Sequence, residues 1–201
     1  MQELSTRIAI DPNFSNVNGV PRNNLAKLNL ADGTLDQTWN PSADSDVQAL
    51  TLDGNGYLFA GGKFQNAGGA SHPYIAKINV VNQGEVDPVW NPAIAGTTYD
   101  TGVLALALDP SGSLLVGGRF DAVGGVPHAN LAKVSLTDTG GVEAASHPQI
   151  ARGFYTAAVQ ALAVPSNDTL IIGGQLAGVG RATRWGIAAL SLDSIFSDEF
   201  E

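Results

Sequence analysis

Arg22, His72, His128 and Arg184 stand at matching points of four similar stretches of chain. Two guanidinium groups and two imidazoles gathered on one face would hold an anion or a carboxylate-bearing glycan. The imidazoles would add charge below about pH 6.5. Trp185, beside Arg184, offers an aromatic plane on which a sugar or a peptide side chain could stack. These five residues are the candidate ligand-binding set, with a protein or a glycan as the candidate partner. Their recurrence has a second reading. A constraint of the fold acts on every copy equally, so each cation could instead serve backbone carbonyls or pack between neighbouring sheets.

Acidic residues form a second set. Asp44 and Asp46 precede the stretch VQAL, and Asp100 precedes VLAL, while the equivalent stretch GFYTAA of the last copy has no acid. Unlike acids and bases contributed by different copies are what a hydrolase or lyase would need, and neutral drift produces the same asymmetry. No G-x-S-x-G, S-x-x-K or H-E-x-x-H occurs, so no catalytic residue is assigned and a non-enzymatic role is expected. Asp53 with Asn55, and Asp109 with Ser111, resemble pieces of a calcium loop. A calcium site needs about six to eight oxygens, and capping a tight turn is the ordinary work of Asp before Gly or Pro. A calcium-stabilised repeat therefore stands as an alternative, with no metal site or cofactor assigned. The glycine pairs do not make a phosphate loop, because neither GxGxxG before a helix nor Gly-Lys-Ser/Thr is present.

The elements that must position these residues repeat. YLFAGGKFQNAGGASHPYIAKIN (57–79) is echoed by SLLVGGRFDAVGGVPHANLAKVS (113–135) and by TLIIGGQLAGVGRATRWGIAALS (169–191). It is also echoed by RIAIDPNFSNVNGVPRNNLAKLN (7–29), where Asp11-Pro12 replaces the first glycine pair. VQALTLD, VLALALD and VQALAVP precede the last three copies; LDQTWNP and VDPVWNP follow the first two, whereas the third ends in VEAASHP. Each unit reads as short strands separated by turn chemistry: an alternating VxALALD strand, a DGNG or DPSG turn, and a second strand with paired glycines. The paired glycines predict a bulge or a close backbone approach, and those of the following loop predict positive φ. A third strand, YIAKINV or NLAKVSL, and a fourth closed by Trp-Asn-Pro complete the unit. Trp39 and Trp90 recur in one column and are expected to pack between blades. A period of 50–56 residues with four short strands predicts an all-β β-propeller of about four blades, the first lacking its innermost strand. The approximate blades are 1–43, 44–97, 98–153 and 154–201, in a single propeller or a fragment of one.

The pattern VxALALDxxGxLxVGGxFxxxGGxxRxxLAKLNxxGxxDxxWNP resembles the delta-60 repeat family of bacterial β-propeller proteins, over almost the whole chain. The resemblance is specific at the glycine pair, the phenylalanine and the LAK/IAK strand. It departs at Asp11-Pro12, Leu176, Ala189 and the missing third tryptophan. It implies a β-propeller and transfers no catalytic residue. The tail SIFSDEFE is similar to short endings on exported proteins of some Gram-negative bacteria, implying an extracellular or cell-surface location.

Composition narrows the partners. A net charge of −9 with scattered Lys and Arg argues against a nucleic-acid binder. No apolar run approaches the ~20 residues of a membrane span. The absence of cysteine removes disulfides, thiolate metal sites and a cysteine nucleophile. MQELSTRIAI lacks the basic and apolar regions of a secretory signal, so an exported chain would begin after its signal. Unpaired blade edges would invite self-association. The expectation is a non-catalytic scaffold or binding module, with a carbohydrate-active enzyme as the rival.

Overall fold

A computed structural model describes residues 6–10, 14–143, 150–151, 157–179, 182–183 and 185–192. Its regular elements are β-strands. The chain forms two compact units, residues 1–88 and 89–201.

In the first unit, the second copy forms a three-stranded antiparallel sheet. Its inner strand is Val47–Leu52, its middle strand Tyr57–Gly62 and its outer strand Ile75–Asn79. The inner strand carries a bulge between Val47 and Ala49, opposite the glycine pair. A Cβ on Gly62 would lie 1.9 Å from the Asp46 carbonyl oxygen, so the bulge presses backbone onto backbone and only glycine fits. The predicted fourth strand is reduced to one bridge, Ile78–Val86. In the first copy the corresponding stretch is curled by Asp36, whose Oδ1 accepts the backbone N–H groups of Thr38 and Trp39. The stretch read as a glycine-rich loop is itself a small hairpin, Asn66–Ala67 with Ala70–Ser71. Its Gly68-Gly69 turn has φ of +59° and +80°, the pair of positive angles that a type I′ turn requires.

The first copy pairs Thr6–Ile10 with Leu25–Asn29. Here the register differs from the sequence alignment by one residue. Ile8 is opposite Lys27, as Phe59 is opposite Lys77, although alignment sets Ile8 beside Leu58. One extra residue between the middle strand and Phe14 permits the slip, and in the slipped register Ile8 packs against the core. That core holds Leu25 and Trp39 of the first copy with Val47, Leu58, Ala60, Ala76 and Ile78 of the second. Trp39 is fully buried, and its indole N–H donates to the Asn79 carbonyl at 3.0 Å. It thus ties the first copy to the end of the second copy's outer strand.

The second unit repeats this plan twice. The third copy has strands Gly102–Leu108, Ser113–Arg119 and Leu131–Ser135; the fourth has Ala158–Ser166, Thr169–Gln175 and Ile187–Ser191. Bulges recur at Val103/Ala105 and Val159/Ala161. A Cβ on Gly118 or Gly174 would lie 2.2 Å from a carbonyl oxygen. Short strands after the Asn-Pro and His-Pro positions, Ile94–Ala95 and Ile150–Ala151, join the hairpins of the third and fourth copies. The core sets Leu115 and Leu131 of the third copy against Val159, Leu170 and Ile172 of the fourth. Trp90 is also fully buried and donates to the Ser135 carbonyl at 2.9 Å.

Candidate functional site

The Arg/His column sits where the small hairpin ends and the chain turns into the outer strand. The turn is made by a left-handed residue just before that strand: Asn24 at φ +62°, Tyr74 at +68°, Asn130 at +69° and Gly186 at +74°. Arg22, His72 and His128, two residues earlier, are all buried. The Arg22 guanidinium donates to the carbonyls of Pro21 at 2.7 Å, Asp36 at 3.0 Å and Gln37 at 2.7 Å. It fastens the start of the first copy's closing segment to its hairpin. The Nδ1 of His72 is buried without a hydrogen-bond partner. Burial holds its imidazole below the ordinary histidine pKa, against the opposing pull of the Asp87 carboxylate. Arg184 lies outside the described residues. Trp185 is 69 % exposed, where the other copies carry Asn23, Pro73 and Ala129. The described members of the set are therefore divided between buried cations and one exposed ring.

The acids are distributed differently. Asp44 accepts the backbone N–H groups of Gln65 at 2.8 Å and Asn66 at 3.1 Å, and the Asn66 side chain at 2.7 Å. Burial pushes this carboxyl up, but those hydrogen bonds outweigh it and leave its pKa lowered. Asp100 pairs with the Arg119 guanidinium at 3.0 Å, and Arg119 donates to the Gln175 side chain at 3.0 Å. This Asp100–Arg119–Gln175 row links the third and fourth copies, and Tyr99 beside it is wholly exposed. Asp53 accepts the N–H groups of Asn55 at 2.7 Å and Tyr57 at 3.0 Å. Asp109 accepts that of Ser111 at 2.7 Å and pairs with Lys133 at 2.6 Å. Among the described residues no three His, Asp or Glu side chains gather as metal ligands would.

A column not singled out from the sequence is the most regular polar feature. Lys27 pairs with Asp36 at 3.1 Å, Lys77 with Asp87 at 3.6 Å, and Lys133 with Glu143 at 3.4 Å. The lysines are those of LAK and IAK, and the acids follow the last apolar residue before the closing segment. Lys27 also donates to the Val80 carbonyl of the second copy at 2.9 Å, and Lys77 lies 4.5 Å from the Tyr57 ring centre. Burial pushes Asp36 up, yet hydrogen bonds from Thr38, Lys27 and the Trp39 N–H bring its pKa to about 2. The Lys133 pKa is raised: burial lowers it, and Asp109 and Glu143 more than reverse that. The signal was the joint recurrence of Lys in the third strand and an acid about nine residues later.

One family comparison bears on this arrangement. Residues 8–38 match the Domain of unknown function (DUF5122) beta-propeller. That span is the paired strands and hairpin of the first copy, with Arg22, Lys27 and Asp36 inside it. Together with the antiparallel three-stranded sheets repeated along the chain, it identifies the fold class as an all-β β-propeller. No curated protein matches the chain.

Proposed function

We propose that the chain is a non-catalytic β-propeller module, of the delta-60 repeat type, that serves a bacterial exported or surface protein as scaffold or binding platform. One observation carries the reading. The polar groups that recur are spent on the protein's own backbone and ion pairs, whereas the large side chains that break the repeat, Trp185 and Tyr99, stand in solvent. Groups consumed by structure are poor acids and bases, and exposed aromatic rings are contact groups. Location outside the cell rests on the likeness of the SIFSDEFE tail alone. The test is a turnover assay on polysaccharide and chromogenic glycoside substrates, run beside a glycan-binding screen. No turnover by the wild-type chain is expected, and glycan capture, if it occurs, should weaken in Trp185→Ala. Turnover that disappears in Asp46→Asn or Asp100→Asn, with folding intact, would replace the module by an enzyme.

A further inference from the structure

Each three-stranded sheet has two faces, and directly paired residues share one. In the fourth copy, Leu162, Ile172 and Ala188 lie on one face, with Leu170 and Leu190 beside them, and this rear face packs on the third copy. The opposite, forward face carries Ala161, Gly173 and Ile187 in one paired row and Ala163, Ile171 and Ala189 in the next. All six are apolar.

The forward face is covered in the earlier copies and bare in this one. Leu25, Ile75 and Leu131 are fully buried, whereas their counterpart Ile187 is 66 % exposed. Ala49 and Ala105 are buried, and their counterpart Ala161 is exposed. A Cβ on Gly117 would meet the Val159 side chain of the fourth copy at 2.6 Å, but one on Gly173 would meet only Ala161 of its own sheet, at 3.6 Å. The lysine column also stops here: Ala189 stands where Lys27, Lys77 and Lys133 make their ion pairs. The exposed Trp185 precedes Ile187 by two residues.

We infer that this forward face is an interface that takes the same face of a second copy of the chain, two apolar sheets stacking about a two-fold axis. Charge selects that occupant. The chain carries a net −9, so most pairings of its surface with itself are repulsive, while this face presents no charge on either side. Four of its six residues are Ala or Gly, which lets two sheets approach closely, and Ile187 and Trp185 supply the large contact groups. A two-fold contact stops at a dimer; docking of the forward face onto a different face would run on into larger assemblies or a ring.

Light scattering on a sizing column, over a concentration series of the full chain, decides it. The expected result is a mass of twice 20.7 kDa that falls to the monomer on dilution. Ile187→Lys and Ala161→Glu, each at an exposed position and checked by circular dichroism, should hold the monomer mass at every concentration. Val81→Lys, an equally exposed apolar residue in the first unit, should leave the dimer unchanged. A wild-type monomer at all concentrations would mean that the face is covered within its own chain or by nothing, and would overturn the inference. Open-ended growth, or a dimer indifferent to Ile187→Lys and Ala161→Glu, would overturn it equally.

Discussion

Lys133 illustrates how much depends on which atoms are out of water. It joins Asp109, whose side chain is only 5 % exposed, to Glu143, which is much more open. Removing the cation leaves the Asp109 charge without its partner in a dry place, so Lys133→Met should cost about 3 kcal/mol in urea unfolding. Lys77→Met leaves Asp87 better hydrated and should cost roughly 1 kcal/mol or less. Equal losses would mean that burial of the acid does not set the scale. The same carboxylates govern acid stability. Asp36, with a pKa near 2, and Asp44 and Asp109, both lowered, bind protons less readily folded than unfolded. Their contribution is complete above the unfolded value of 3.8 and disappears as pH falls toward the folded values. His72 acts earlier with the same sign: its lowered pKa means that the unfolded chain protonates first, so stability begins to fall below about 6.5. Urea midpoints measured from pH 8 to pH 3 should therefore decline in two stages. His72→Gln should remove the first stage and Asp36→Asn should reduce the second; a single decline confined to pH below 4 would deny the histidine its part.

At the scale of the strand pair, the glycines set what the sheet tolerates. Gly62 faces the Asp46 carbonyl at the bulge, so Gly62→Ala must push backbone aside and should cost about 3 kcal/mol. Gly141 has open space around its Cβ position, and Gly141→Ala should stay within about 0.5 kcal/mol of wild type. Similar midpoints for the two variants would show that the bulge relaxes freely. This is also where sequence and structure agree best. The glycine pair opposite VQAL called for a bulge or a close approach, and both are present. The second glycine cluster called for positive φ, and the type I′ hairpins have it. Three features were not legible. The one-residue slip of Thr6–Ile10 depends on which isoleucines the neighbouring copy can bury, and alternation within one strand does not encode that. The fourth strand shrinks to a bridge because Trp39 and Trp90 turn inward to carbonyls 40 and 45 residues away. The Asp100–Arg119–Gln175 row joins residues up to 56 positions apart, between copies whose polar residues differ.

For the molecule as a whole, the question is whether its turns need a metal. Repeats rich in Asp-Gly and Asp-Pro turns are natural places to seek calcium, and the sequence alone left that open. Calcium binds where several carboxylate and carbonyl oxygens converge with lone pairs to spare. Here the Asp53 carboxylate accepts two backbone N–H groups, Asp44 accepts two plus the Asn66 amide, and Asp109 divides its oxygens between Ser111 and Lys133. The lysine supplies next to Asp109 the positive charge that a cation would otherwise bring. A metal entering there would have to displace Lys133 and leave that ammonium half-buried without its partner, which costs more than an exposed carboxylate pair repays. The melting temperature in excess EDTA should therefore equal that in millimolar calcium at matched ionic strength. A rise of several degrees with calcium, lost again in Asp53→Asn or Asp109→Asn, would show that the turns exchange their internal partners for a metal, since a ligand bound only by the folded state raises stability with its concentration.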